Sequence, residues 1–401
     1  MASSTPGLDA RGSAAAVDAG ATAGATAGAT AGAEVPPALA AARGTGTGLL
    51  PGWGWTLLAL FVLASCVLVP WLALGVPRAS AWHLSSYWVG LAGKILCYAM
   101  VALAMDLVWG YGGILSLGHG LFFALGGYAM GMYLNRAMNA ASGTLPDFMQ
   151  FMQWTRFPWY WAGTGHFAYA LFLALAVPGL LAFVFGFFAF RSRIRGVYFS
   201  IITQALTYAA MLLFFRNETG FGGNNGLTDF KVLLGWPVGT AGMTVALFAA
   251  TSLCLVLCFL LLRWLVSGRF GRLLRAIRDA ESRVMFCGYE PLWFKLFAWT
   301  VSAMVCGLAG ALYAPQVGII NPGEMSPANS IEIAVWAAVG GRGTLVGPML
   351  GAVLVNAAKS WLTVAFPQFW LYLLGALFVG VTLLAPGGIA GLLMAWRRRR
   401  G

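Results

Sequence analysis

Charge is what this 401-residue chain has least of: only 9% of its residues are Asp, Glu, Lys or Arg, against 60% hydrophobic. That leaves too little polar surface to solvate a globular fold of this length, which excludes a soluble domain and leaves a membrane protein. Strand-like alternation over about ten residues is absent, and with it the signature of a membrane barrel. No G-x-x-x-x-G-K-[ST] run occurs, so the chain cannot cradle nucleotide phosphates by that route. Equally missing are HExxH, a nucleophile elbow and paired intramembrane aspartates, which argues against a metalloenzyme or membrane protease. The six cysteines mostly lie in apolar runs, and Cys254 and Cys258, one helical turn apart, have no His or carboxylate beside them, so no metal site is expected. No cofactor is expected in this chain either.

What is present is a series of apolar runs near 20 residues long, and in lipid such runs must be helices because every backbone polar group needs an internal partner. Ten segments are expected, near 55–75, 87–109, 119–135, 167–190, 196–215, 243–266, 294–318, 329–341, 345–365 and 370–394. The fold class is therefore an all-α, polytopic helical bundle of about ten spans. Residues 1–48, rich in Ala, Gly and Thr with ATAG three times from Ala21, form an expected disordered tail. Residues 49–396 form the transmembrane domain, with a polar loop at 267–293, and 397–401 a basic tail. The net charge of +12 is read loop by loop rather than as a nucleic-acid footprint. Seventeen of the 24 Lys and Arg residues fall on one face, six (Arg78, Arg136, Arg156, Arg216, Lys231, Lys359) on the other, and Lys94 within a span. By the positive-inside rule, both termini are expected in the cytoplasm.

The eighth segment, SIEIAVWAAVGG, is too short to cross about 30 Å of hydrocarbon as a straight helix. Glycine-rich breaks occur in two places, one in each half: Gly112-Gly113 with Ser116 and Gly120, and Gly340-Gly341, at the end of this segment, with Thr344 and Gly347. Each is followed by a GxxxG pair, Gly127 with Gly131 and Gly347 with Gly351. Corresponding interruptions in two halves point to an internal repeat around a pathway, or simply to close helix packing. Candidate pathway residues follow: Ser116 and His119 at the first break, Thr203, Gln204 and Thr207 on one helix, and Glu332. His119 could bond a solute or cap the break; the Thr and Gln groups could serve a neutral solute or join helices. Among charges within spans, Asp106 and Glu332 sit near helix ends, where anchoring explains them as well as function does. Asn217, Asn224, Asn225 and Thr228, set among glycines, offer a polar loop for a partner protein or a solute, or plain turn chemistry.

The stretch RFGRLLRAIRDAESRVMFCGYEPLWFKLFAWT from Arg269 is basic and amphipathic, with Leu273, Leu274, Ile277, Val284 and Met285 at roughly helical spacing. A helix lying on anionic lipid would fit the arginines, but Asp279, Glu281 and Glu290 interrupt the charge and a Gly288–Pro291 turn ends the helix, as suits a shaped protein contact.

The order Ala276, Asp279, Glu281, Gly288 and then an apolar span resembles the coupling loop of permease subunits in the branched-chain amino acid and urea families of ABC importers. DLVWGYGGILSLGHGLFFALGGYAMGMYL from Asp106, SRIRGVYFSIITQAL from Ser192 and SIEIAVWAAVGGRGTLVGPMLGA from Ser330 extend the resemblance over roughly residues 87–390. Within that family LFFRNETGFGGNNGLTDF from Leu213 looks like the urea-type branch, whereas the long Ala/Gly/Thr tail departs from the pattern. The resemblance implies a bacterial inner-membrane subunit without ATPase activity of its own, working with a homologous second permease, two cytoplasmic ATPases that use ATP, and a periplasmic binding protein. It implies ATPase coupling through Arg275, Arg278, Asp279, Glu281 and Gly288, and binding-protein contact through Asn217, Asn224 and Asn225. Urea is the expected solute, with a branched-chain amino acid or short amide as the alternative. A secondary transporter or channel is the rival that needs no ATPase.

Overall fold

The computed structural model describes residues 49–77, 79–140, 143–194, 196–369 and scattered positions between 372 and 391. The expected tails at 1–48 and 397–401 and most of the tenth segment lie outside the described residues. The described part is mostly helical. Its main helices are α1 (Gly52–Gly75), α2 (Ser86–Tyr111), α3 (His119–Asn139), α4 (Phe167–Arg191), α5 (Val197–Phe215), α6 (Ala241–Ser267), α7 (Arg269–Phe286), α8 (Pro291–Val317), α9 (Pro327–Gly340) and α10 (Val346–Ala365). Six of these, namely α1, α2, α4, α5, α6 and α8, are long and apolar enough to cross a membrane. The chain is a multi-pass membrane protein.

Local chemistry sets the helix ends. Thr240 accepts from the Met243 amide at 3.3 Å to start α6, and Ser326 accepts from Asn329 at 3.3 Å to start α9, with Pro327 in its first turn. Gly318, at φ +83°, closes α8 in the left-handed region. The 14 residues of α9 give a rise of about 21 Å, so it is the short segment its sequence indicates.

Helix α8 is the hub, packed on α2, α3 and α4. Glycine makes this possible: a Cβ on Gly126 would overlap the Gly307 carbonyl, and one on Gly310 would overlap the Phe123 carbonyl. Small residues replace side-chain interdigitation by direct backbone approach, the packing mode favoured where lipid offers no hydrophobic drive. The two GxxxG pairs also make close contacts, Gly127 and Gly131 with Ile320 and Gly347 and Gly351 with Gly340. Opposite the α7 end, Leu227–Thr228 (β1) pairs antiparallel with Ile319–Ile320 (β4), and Val232–Leu233 (β2) with Trp236–Pro237 (β3). These short ladders order the loops that follow α5 and α8.

Candidate functional site: the coupling helix and the broken-helix region

Of the stripe its periodicity indicates, helix α7 buries Leu274, Ile277 and Val284, leaves Leu273 half-buried and exposes Met285. It is not one straight rod, however. Ala280 leaves the helical basin (φ −155°, ψ 70°), so the helix expected across this stretch is two pieces joined by a kink. Contacts on both sides of the break account for the change of direction. Before it, Arg278 donates to the Gly110 carbonyl at 2.6 Å and to Asp279 at 2.8 Å. After it, Glu281 pairs with Lys295 of α8 at 2.6 Å.

Of the residues singled out for coupling, Arg278 and Glu281 are therefore held within the chain, and Arg275 lies over the Tyr111 ring at 5.8 Å. Asp279 is half exposed, and Gly288 turns at φ +83° in open space. The exposed tip beyond the kink is Phe286, 92% exposed, with Tyr289, both passed over by the sequence reading, and Met285, which was expected in the apolar stripe. Phe286 falls off the apolar stripe, which is the signal that could have marked it as a contact for something else. Gly288→Arg forces a side chain into a left-handed turn at about 1–2 kcal/mol, and Glu281→Lys sets an ammonium against Lys295. Both variants are expected to insert in the membrane and to lose transport, checked by uptake normalised to membrane-resident protein.

The chain end of α2 lies one layer deeper. For Asp106 the sequence leaves anchoring near a helix end and function equally open; it is fully buried and serves as a clasp. Its Oδ1 accepts from the Gly343 amide at 2.6 Å and its Oδ2 from the Leu345 amide at 2.9 Å. The ring of Trp109 carries the Arg342 guanidinium at 4.6 Å. The π-helical turn Leu107–Tyr111 thus meets both α7, through Gly110, and the second glycine-rich break, through Asp106. Leu345 stands at φ +59°, a conformation that a non-glycine residue keeps only when its surroundings hold it there.

The first break, residues 112–118, is tied to α5. Ser200 donates to the Leu115 carbonyl at 2.8 Å, and the Leu117 amide donates to Thr203 Oγ1 at 3.1 Å. Thr203 in turn donates within α5, and Thr207 donates to the Thr203 carbonyl at 2.8 Å, with the Leu117 carbonyl 3.3 Å away. Ser116 accepts from Gly118 at 3.1 Å. His119 Nε2 meets Ser302 Oγ at 2.9 Å, and since that hydroxyl donates to Ala104, the imidazole is the donor. Gln204 differs: it borders a groove beside α5 while its amide oxygen and nitrogen stay shielded from solvent and take no part in these bonds.

Glu332 lies elsewhere, in a polar cavity between α2, α9 and α10. Lys359, assigned to an external face by the loop census, sits within α10 and pairs with Glu332 at 2.8 Å. Nearby, Tyr313 donates to Glu324 at 2.9 Å, Asn329 donates to its other oxygen at 3.4 Å, and Lys94 lies over the Tyr98 and Tyr313 rings at 5.8 and 5.9 Å. Burial holds the Glu324 carboxyl above the usual carboxylate range, with the Tyr313 hydroxyl and the Lys94 and Lys359 ammoniums drawing it back. Glu324 escaped the sequence reading because it sits in a Pro-Gly turn, Pro322–Met325, that reads as an external loop. The cavity, lined also by Asn356, Phe123 and Trp336, holds about 30 Å³, room for about two waters.

At the other end Asn217, Asn224 and Asn225 are exposed on a loop pinned by Tyr160, which donates to the Thr219 carbonyl at 2.6 Å, and by Phe221 stacked on Phe214 at 4.3 Å. The site residues thus divide into separate regions and do not converge on one centre.

With α7, the clasp and the broken helices in view, comparison with known proteins is direct: the family description "branched-chain amino acid transport system, permease component" matches residues 87–382. The chain belongs to this permease family. It is similar to the high-affinity branched-chain amino acid transport system permease protein LivM of Salmonella typhimurium, 25% identical over 323 residues, covering 75% of this chain and 69% of that protein. The probable LivM of Methanocaldococcus jannaschii is 25% identical over 343 residues, 75% of this chain and 91% of that protein. The autoinducer 2 import system permease protein LsrC of Yersinia pseudotuberculosis is 28% identical over 231 residues, 55% of this chain and 62% of that protein. No solved structure matches the chain. The permease family match begins after α1, which therefore lies outside the shared region.

Proposed function

We propose that this permease is the membrane-spanning subunit of an ATP-driven ABC importer in the bacterial inner membrane, and that its solute is urea. In this reading the spans number about ten, both termini are cytoplasmic, and the chain works with a homologous second permease, two cytoplasmic ATPases and a periplasmic binding protein. The observation that carries it is α7, an amphipathic helix standing outside the spans, tied to them by Arg278 and Glu281, with an exposed apolar tip at Phe286. ATP binding by the partners would move that tip, and the spans respond only as far as their contacts differ between the two states.

Urea is supported by the loop from Leu213 to Phe230, whose order of Asn and Gly resembles the urea-type branch and whose asparagines stand exposed where a binding protein would meet them. A branched-chain amino acid is the second reading, favoured by the names of the LivM relatives. Labelled urea at low micromolar concentration, offered to cells with and without the gene, separates the two. The expected result is gene-dependent uptake that stops on ATP depletion and ignores excess leucine. Leucine uptake without urea uptake would replace the solute, and uptake insensitive to ATP depletion at constant membrane potential would remove the importer reading.

A further inference from the structure

Helix α1 is held loosely. Of its residues only Ser65 and Ala73 are buried, and it meets the rest of the bundle chiefly along α6. Beside its first half lies a groove of about 640 Å³ walled by α1, α2, α6 and α10. On α1 the lining falls at Leu50, Trp53, Leu57 and Phe61, the spacing of one helical face. Along α6 the groove runs from Arg263 to Leu255 and along α10 from Val346 to Val353, about 10–12 Å inward from the α7 end. Arg263 is the one charged residue among the described residues that line it, and Thr344 the one hydroxyl. Water would find few partners along such walls, and an empty space would forfeit the dispersion contacts of its lining. Between membrane spans the matter at hand to fill it is hydrocarbon.

The mouth is chemically different. The 27 residues of α6 rise about 40 Å against about 30 Å of hydrocarbon, so its last turns, with Arg263, reach the level of the headgroups. Arg263 donates through Nε to the Leu49 carbonyl at 2.9 Å, which fixes the side chain at the mouth and leaves both Nη groups for another acceptor. Thr344 is spent within the second break, where its hydroxyl donates to the Gly341 carbonyl and accepts from the Gly347 amide. Arg275 and Arg278 share the neighbourhood of Tyr111 with Arg263. The carboxylates of this region are already engaged, Asp106 by two amides and Asp279 by Arg278, so the mouth is basic.

We infer that this groove is a binding site for one anionic phospholipid, with an acyl chain lying between α1 and α10 and the phosphate bonded by the Arg263 Nη groups. An arginine fork matches two phosphate oxygens, and basic clusters at a membrane surface attract anionic lipid. A zwitterionic headgroup would set its ammonium among the arginines and bind less well. The family match begins after α1, so the lipid joins a helix outside the shared region to the shared body, next to the point where the second break becomes α10. The inference is independent of the solute.

The test uses the full-length chain, purified in detergent, stripped of lipid by prolonged exchange, and titrated with phosphatidylglycerol or phosphatidylcholine. Binding is read by native mass spectrometry and by melting temperature. The wild type is expected to bind one phosphatidylglycerol about tenfold more tightly than phosphatidylcholine, and to melt higher with it. Arg263→Gln should lose that preference. Leu350→Trp, which fills the groove from α10, should lose binding of both lipids, and both variants should melt near the wild type when lipid-free. Equal binding of the two lipids by the wild type, or an unchanged preference in Arg263→Gln, would overturn the inference by leaving only an unspecific annulus of lipid. Where one variant fails to accumulate, the wild-type preference and the other variant decide in the same way. A stable dimer without bound lipid would give the groove to a second copy, and binding that appears only after removal of residues 1–48 would give it to that segment; either result overturns the inference.

Discussion

Asp106→Asn is expected to lower import about tenfold or more, with the protein still present in the membrane. The carboxylate accepts from two amides, Gly343 and Leu345, and hydrogen bonds to a charged group contribute about 1.5–3 kcal/mol each. Asparagine keeps one acceptor oxygen and turns an NH₂ group toward the other amide, so one bond is replaced by a donor-donor contact. Losing about 2 kcal/mol or more at this point is enough for more than a tenfold shift between two arrangements of the break. Leu345 is the residue that should move, because φ +59° is held there by the same carboxylate. Gly110, which takes the Arg278 bond from α7, sits four residues from Asp106 on the same turn. The break between α9 and α10 is thus joined to α7 through two side chains. Measuring solute imported per ATP hydrolysed checks this: hydrolysis is expected to continue while import falls. Import within twofold of wild type in a well-expressed variant would show that the break is held by other contacts.

Lys359→Met is the second change with a large expected effect. Glu332 and Lys359 share a bidentate contact at 2.8 and 3.0 Å, and removing one partner of an enclosed pair leaves an uncompensated charge costing about 3–5 kcal/mol. The Lys359 side chain keeps 32% of its exposure, so the lower end of that range applies. Lys359→Met should lower the melting temperature of the detergent-solubilised protein clearly, whereas adding Glu332→Gln should restore most of the loss, because a neutral amide is far less costly to enclose. Equal melting temperatures for the single and double variants would mean that Glu332 finds its compensation elsewhere.

Six of the ten expected spans and the Leu274, Ile277 and Val284 part of the α7 stripe were legible because they follow from composition and the helical period, both local. The kink at Ala280 was not, since it is set by the Gly110 carbonyl before it and Lys295 after it, neither of which local propensity describes. Asp106 is separated from its partners by 237 and 239 residues, and nothing near it in the chain distinguishes a clasp from an interfacial anchor. The same holds for Glu332 and Lys359, 27 residues apart, whose pairing depends on how α9 folds back along α10. Thr203, Gln204 and Thr207 were readable as a polar set on one helix. Their division, two of them spent on the first break and one left beside a groove, needed the positions of Leu115 and Leu117.

The polar cavity around Glu324, Glu332 and Lys359 has a consequence for the membrane as a whole. Protons cross apolar barriers fastest along unbroken files of hydrogen-bonded water, and a space for about two molecules is too short to make one across a span. Two ammoniums, Lys94 and Lys359, and two carboxylates, Glu324 and Glu332, surround that space, so its charges are of both signs and largely offset one another. This subunit therefore carries a charged region with room for local hydration only, a pocket of water too small to serve as a proton wire from one face of the membrane to the other.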